Sequence, residues 1–268
     1  MRSPTLIVRI KSLLVSTPFE EIAKQLRWAA RMRHRMKYPE LWGLYSEERW
    51  IKRILQTRLT KTSCVVDVGA HLGSFLNTSM KLAPQGRHIA FEPSPTRCPL
   101  LRRKFPQATI FEIAAGEQNT DATFAEDRRL PGYSRLLTAS DKDVETYQVQ
   151  VRRLDDVLAD IGKIDLIKLD IQGAELSALK GAKTLISKWQ PLIIFECGQE
   201  YGAAEAGYDR KLLYDYLVEI GYSVSTPVDF FFGKEPMSFS EFKKSGLYPF
   251  TAMNFIGAPQ TTAREALE

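Results

Sequence analysis

Two hydrophobic rhythms divide the chain. Up to about residue 60 the apolar side chains recur at helical spacing. Leu6, Ile10, Leu13 and Leu14 share one face of an amphipathic helix. Thr17-Pro18-Phe19-Glu20 starts a second helix: Thr17 caps it, Pro18 suits its first turn and Glu20 completes a capping box. Tyr38-Pro39 ends that helix near Lys37, and a further helix follows Ser46 through Trp50 and Ile54 to Leu59. These helices are expected to pack beside a larger domain rather than to form a core of their own.

Beyond Lys61 the rhythm becomes short apolar runs alternating with helical patterns. Strands are predicted at Cys64 to Val68, Arg87 to Phe91, Thr109 to Ile113, Asp165 to Asp170 and Leu192 to Glu196. Helices are predicted at Ser74 to Leu82, Pro95 to Phe105, Glu175 to Ser187 and Asp209 to Ile220. Tyr222 to Ser225, resuming at Asp229 to Phe232, and Ala252 to Gly257 read as a closing antiparallel pair. The Phe230-Phe231-Phe232 run reads as core or an oligomer contact. The stretch from Asn119 to Gln150 reads as a β-hairpin insertion. Its Tyr133, Ser134 and Arg135, beside a Pro131-Gly132 turn, either shape a substrate pocket or belong to an ordinary exposed hairpin. Strands with unbroken apolar runs, alternating with helices, mean an α/β fold with a parallel sheet covered on both faces. The expected organisation is a basic helical extension over 1–60, a main domain over 61–258 and a frayed tail over 259–268.

Composition changes the picture only when charge is divided along the chain. Hydrophobic residues at 44% and charged residues at 26% are ordinary for a globular protein. No apolar run reaches the roughly 20 residues a membrane-crossing helix needs. Three cysteines and three histidines are scattered without metal-ligand spacing, which points to a reducing, cytoplasmic setting and to no metal site. The formal charge is +5, but the first 63 residues hold 14 Lys/Arg against 5 Asp/Glu, leaving the remainder at −4. Such an arm fits either a solvated helical surface or peripheral contact with something acidic, such as lipid headgroups. No aromatic-interleaved pattern accompanies it, so nucleic acid is not expected. Arg9 and Lys11 interrupt the apolar start, which argues against a signal peptide.

The chemistry concentrates at the strand ends. Val66-Asp67-Val68-Gly69-Ala70-His71-Leu72-Gly73 joins the first strand to its helix with G-x-x-x-G spacing. It is neither the dinucleotide G-x-G-x-x-G nor a phosphate loop. Gly69 and Gly73 allow a tight turn and a close approach to a ligand. Asp67 repels phosphate but attracts an ammonium group directly or through water. Glu92, in Phe91-Glu92-Pro93 at the end of strand two, is placed to accept both hydroxyls of a ribose. An amino-acid end plus a ribose, without diphosphate, describes S-adenosylmethionine.

A second group is Lys168-Leu169-Asp170-Ile171-Gln172-Gly173-Ala174-Glu175, with Glu196 ending the neighbouring strand. Asp170, Glu175 and Glu196 are expected to face one crevice as base, substrate-orienting acceptors or ligands of a divalent ion. Asp170 and Glu175 also have a purely structural reading as helix-end residues. Lys168 pairs with Asp170, neutralises an acidic substrate, or acts as base if burial lowers its pKa.

These segments, with Leu154-Asp155-Asp156-Val157-Leu158, Phe195-Glu196 and Asn254-Phe255, resemble the FkbM family of S-adenosylmethionine-dependent methyltransferases. The resemblance spans roughly residues 64–257. It implies a Rossmann-like class I methyltransferase sheet of seven strands, the last one antiparallel. It also implies O-methylation of a hydroxyl on a sugar, glycan or secondary metabolite. Asp67, Gly69, Gly73 and Glu92 would line the cofactor site, flanked by Ala70, His71 and Pro93, and Asp170, Glu175, Lys168 and Glu196 would form the catalytic set. Two positions depart from the family pattern: His71 stands where Asn is common, and Gln172 where Glu is common. Gln172 removes one negative charge from the crevice and weakens a metal-site reading. The alternatives are an inactive methyltransferase-like binding module, a nicotinamide-dependent oxidoreductase, and nucleic-acid methylation suggested only by the basic arm.

Overall fold

A computed structural model describes residues 17, 19–30, 32–126, 135–136, 145–198 and 209–260. Three helices lead in: α1 (Phe19–Ala30), α2 (Met32–Lys37) and, after a 3-10 turn, α3 (Trp42–Arg58). Strand and helix then alternate through β1 (Val65–Val68), α4 (Ser74–Leu82), β2 (His88–Phe91), α5 (Cys98–Lys104) and β3 (Thr109–Phe111). A second, four-stranded sheet follows, from β4 (Ala114–Ala115), β5 (Thr120–Glu126), β6 (Arg135–Leu136) and β7 (Glu145–Arg152). The alternation resumes with α6 (Leu154–Val157), β8 (Leu166–Leu169), α7 (Glu175–Lys180), α8 (Lys183–Trp189), β9 (Leu192–Glu196), α9 (Arg210–Glu219) and β10 (Tyr222–Ser225). Two short helices, α10 (Pro227–Phe231) and α11 (Phe239–Ser245), precede the last strand, β11 (Asn254–Pro259).

The main sheet has seven strands in the order β10-β11-β9-β8-β1-β2-β3. Its strands pair in parallel except β11, which runs antiparallel to both β9 and β10. The seven-stranded sheet with a reversed last strand, expected from the resemblance, is therefore present. Alternate residues serve opposite faces. Val65, Leu166, Ile194 and Ile256 pack with Ile54 and Leu55 of α3. Val66, Ile167, Ile193 and Phe195 belong to the cluster on the other face. Burying a Leu or Ile side chain fully contributes about 2 kcal/mol, so Ile54 and Leu55, both 1% exposed, bind α3 firmly to the sheet. The chain runs from β1 outward to β2 and β3, then returns to β8 on the other edge of β1. That reversal opens a crevice at the carboxyl ends of β1 and β8.

Several expected elements shift. The stretch at Asp229 to Phe232 lies mainly in α10, not a strand, because Thr226 caps it by accepting from the Asp229 N–H at 3.1 Å and Pro227 suits its first turn. The helix expected to follow Ser46 starts at Trp42; the Ser46 hydroxyl bonds back to the Gly43 carbonyl inside it. The helix expected from Glu175 to Ser187 divides into α7 and α8 around Gly181, where a Cβ would stand 2.0 Å from the Gly116 carbonyl oxygen. Thr109 to Ile113 ends as a strand at Phe111, and Ala114–Ala115 joins the second sheet. The hairpin insertion forms as antiparallel β5 and β7. Tyr133, Ser134, the helix around Leu6 to Leu14 and the tail after Gln260 lie outside the described residues. The described helices include none long and apolar enough to cross a membrane. Phe19, Ile22 and Leu26 are exposed on α1.

Candidate active site

The loop after β1 has three left-handed residues: Gly69 (φ 83°), His71 (φ 52°) and Gly73 (φ 81°). The Gly69 and Ala70 N–H groups both reach the Phe91 carbonyl, which ties the loop to the end of β2. A Cβ on Gly69 would stand 2.0 Å from the Asp170 carbonyl oxygen, and one on Gly73 would stand 2.3 Å from the Phe105 ring. Both glycines thus let the loop pack closely against the protein, and Gly69 also lines both cavities at the strand ends.

Glu92, 2% exposed, anchors one end of a cavity of about 320 Å3. Its Oε2 accepts from the His71 N–H at 2.8 Å and its Oε1 from the Ser94 N–H at 3.1 Å. Burial raises its pKa, while Arg97 and the two amides oppose the shift. Arg97 is held between Glu92 at 3.5 Å and Glu126 at 3.4 Å. Pro93, Ile113, Ala115, Phe124 and Leu136 add an apolar slot beside Glu92.

Next to this end lies a chain of charges set by strand register. Asp67 and Lys168 are opposite one another in the β1–β8 pair. Lys168 Nζ is 3.3 Å from Asp67 Oδ1 and 3.2 Å from Asp170 Oδ2. Burial pulls the Lys168 pKa down, but Asp170 and Asp67 outweigh it and raise the group well above its ordinary value. The two carboxylates favour the cationic form of Lys168, which suits its reading as the partner of Asp170. Asp67 is fully buried; burial raises its pKa and the Lys168 charge counters this. Its Oδ1 faces Lys168, its Oδ2 is buried without a hydrogen-bond partner among the described residues, and it stands behind the lining of both cavities.

Asp170 and Glu196 end β8 and β9 side by side on the first cavity. Burial alone would raise Asp170, but Lys168 and hydrogen bonds from Glu196, Lys168 and Gln172 bring it down to about 2. Burial and then the Asp170 charge raise Glu196 to about 9. Glu196 therefore keeps its proton and donates to an ionised Asp170. Gln172, in a left-handed conformation (φ 54°), turns its amide toward both. Glu175 differs from the expectation. Its Oε1 accepts from the Ile171 N–H and its Oε2 from the Gly173 N–H, each at 2.9 Å, and it lines neither cavity. It clamps the loop that presents Asp170, and burial raises it to about 7.

A second cavity, of about 390 Å3, lies between α3 and the loop after β1. The two cavities share Gly69, His71, Asp170 and Asn254; Ala70 and Lys168 line the second alone. Glu47 of α3 accepts from the Met253 N–H at 2.6 Å, the Asn254 N–H at 3.2 Å and Asn254 Nδ2 at 2.9 Å. Neither Glu47 nor Asn254 was legible as a site residue, although Asn254 stands opposite Glu196 at the start of the last strand. Of the sequence-predicted residues, Gly69, Ala70, His71, Glu92, Pro93, Lys168, Asp170 and Glu196 line the two cavities. Asp67, Gly73 and Glu175 sit behind them.

Comparison with known proteins places this geometry in a lineage. Residues 67–224, more than half of the chain, match the methyltransferase FkbM domain. The 2-O-methyltransferase NoeI of Sinorhizobium fredii is 28% identical over 143 residues, covering 46% of this chain and 59% of that protein. Methyltransferase 1 of Beauveria bassiana is 28% identical over 145 residues, covering 44% of this chain and 58% of that protein. The AMB antimetabolite synthetase AmbE of Pseudomonas aeruginosa is 28% identical over 215 residues, but only 10% of that much longer protein is matched. The chain thus spans less than two thirds of each of these relatives. The solved structure of methyltransferase FkbM from Methylobacillus flagellatus is 23% identical, with a TM-score of 0.45, covering 63% of this chain and 40% of that one. The chain belongs to the FkbM methyltransferase family.

Proposed function

We propose that the protein transfers a methyl group from S-adenosylmethionine to a hydroxyl of a sugar, glycan or secondary-metabolite acceptor. The observation that carries this is a single cavity lined by Glu92 from the end of β2 and by Asp170 and Glu196 from the adjacent ends of β8 and β9. The residues fit such a cofactor. Each oxygen of Glu92 accepts one backbone N–H, which leaves lone pairs for a vicinal diol. Arg97, the cation on this cavity, faces Glu92 and Glu126, so the lining does not favour a diphosphate. When bound, S-adenosylmethionine supplies an electrophilic methyl group on a sulfonium.

Asp170 receives the proton of the acceptor hydroxyl, and Glu196 orients that carboxylate by donating to it. Gln172 screens the two acids, and Lys168 holds Asp170 ionised. The 2-O-methyltransferase NoeI, named for methylation at oxygen, supports an oxygen acceptor.

The test is incubation of the protein with methyl-labelled S-adenosylmethionine and a panel of polyol, glycan and phenolic acceptors. Label is expected in a hydroxyl-bearing product. Asp170→Asn should lower turnover by about 100-fold while leaving affinity for S-adenosylhomocysteine nearly unchanged; Glu92→Ala should chiefly weaken that affinity. Equal loss of both in Asp170→Asn overturns the assignment of Asp170 as base. The exposed Phe19, Ile22 and Leu26, in a basic stretch, support peripheral contact with an anionic membrane surface. Failure to float with anionic vesicles would remove that part of the reading.

A further inference from the structure

Glu126 closes β5 and lines neither cavity, yet it is buried and holds three side chains of the loop that follows Glu92. Its Oε2 accepts from the Ser94 hydroxyl at 2.9 Å. Its Oε1 and Oε2 accept from the Thr96 hydroxyl at 3.1 and 3.0 Å, and Arg97 Nε lies 3.4 Å from Oε1. Phe124, two residues earlier, shares this face of β5 and lines the cavity that holds Glu92. One strand of the hairpin sheet thus supplies both a wall of that cavity and the tie to the Glu92 loop.

Ser94 bridges the two acids, with its N–H donated to Glu92 and its O–H to Glu126. Arg97 bridges them as well, its Nη1 standing 3.5 Å from Glu92 Oε1. Arg97 is 4% exposed, so solvent screens these charges little. A guanidinium that faces one carboxylate closes on it with bonds of about 2.7–2.9 Å. Both contacts here are longer, because one cation is divided between two carboxylates. Were Glu126 uncharged, Arg97 would close on Glu92 and take up lone pairs that a ligand diol requires.

Resting on the function proposed above, we propose that Glu126 is a positioning residue for the donor. Its charge holds Arg97 back from Glu92 and so keeps the Glu92 oxygens open to ribose hydroxyls. How sharply the site tells ribose from deoxyribose is then set on the hairpin sheet, outside the cavity lining.

The test is calorimetry on the full chain with S-adenosylhomocysteine and its 2′-deoxyribose analogue. The wild-type protein is expected to prefer the ribose compound about tenfold or more, since the bond lost is to a charged acceptor. Glu126→Gln keeps the length of the side chain and an acceptor for Ser94 and Thr96 but removes the charge. It is expected to cut the preference to about threefold or less, by weakening the ribose compound alone. Glu126→Asp keeps the charge and is expected to retain most of the preference, although its shorter side chain packs less well. An undiminished preference in Glu126→Gln overturns the proposal. So does a parallel loss of both compounds, or a larger drop in preference for Glu126→Asp than for Glu126→Gln, since each marks a merely structural role. A wild-type protein that binds both compounds equally removes the ribose role of Glu92 and this assignment with it. One that binds neither overturns the function proposed above.

Discussion

Gln172 Nε2 lies 2.5 Å from Glu196 Oε2 and 3.4 Å from Asp170 Oδ1, so one neutral amide stands between two acids at adjacent strand ends. Gln172→Glu removes the donor and adds a third carboxylate. The protein should lose about 1–3 kcal/mol of stability at pH 8 and less at pH 5. The crowded new carboxyl has a raised pKa, so its proton is retained at low pH and lost as pH rises. Urea unfolding at the two pH values measures this, and an equal loss at both would contradict it.

The Asp67–Lys168 pair is buried, and breaking one side leaves the other charge uncompensated. Lys168→Met should cost about 3–5 kcal/mol of stability. The double substitution Asp67→Asn, Lys168→Met should recover much of that loss. Denaturant unfolding of the two variants decides the point; a single variant as stable as wild type would refute a structural role for the pair.

Glu175 satisfies two backbone amides of the loop that carries Asp170. Glu175→Ala should lose about 2–4 kcal/mol near pH 5, since each amide left unsatisfied costs about 1–3 kcal/mol. Burial raises this carboxyl from 4.5 to about 7, so folding takes up a proton between those values. Its contribution is full below the unfolded pKa and is lost as pH climbs through about 7. The stability gap between wild type and variant should therefore narrow from pH 5 to pH 8, and a gap that widens would reverse the assignment.

Glu196 holds its proton up to about pH 9, while Asp170 is ionised above about 2. Methyl transfer should show a basic limb near pH 9 as Glu196 ionises beside Asp170. Glu196→Gln should abolish that limb, because an amide does not titrate. A turnover profile with the same limb in the variant would assign it to another group.

Gly69 and Gly73 should respond differently to a methyl group. Both have φ near +80°, where a Cβ costs roughly 1–2 kcal/mol. Gly73→Ala also meets the edge of the Phe105 ring, a side chain that can be trimmed. Gly73→Ala combined with Phe105→Leu should regain part of the melting temperature lost by Gly73→Ala alone. Gly69→Ala meets the Asp170 backbone, which no trimming relieves, and should lose S-adenosylhomocysteine binding as the loop shifts. Restoration of Gly69→Ala by a side-chain change nearby would contradict this.

The strands are legible because uninterrupted Val, Ile and Leu runs need burial on both faces, and the acids Glu92, Asp170 and Glu196 are legible because they close such runs. The Phe230-Phe231-Phe232 run is not, since a short apolar run fits strand or helix and the Thr226-Pro227 start decides it. The pairing of Asp67 is not legible for another reason. Its partner Lys168 lies 101 residues away and meets it only once the strand order is known. Asn254 belongs to a segment that carries the resemblance, but its pairing with Glu47, 207 residues away, has no local sign. Glu175 occupies the place expected of a crevice acid, but whether it turns to solvent or to the two nearby amides depends on loop geometry that composition does not encode.

Leu154-Asp155-Asp156 is among the most diagnostic segments of the chain, and Asp155 explains what it certifies. Its two oxygens accept the Thr184 and Leu185 N–H groups at 3.1 and 2.9 Å and so begin α8, while Asp156 holds Asn119 at 2.7 Å. The tripeptide joins the hairpin sheet to the helical layer and lines neither cavity. The cavity wall is set elsewhere, by Gln172 just beyond the central strand β8 and by Asn254 at the start of β11.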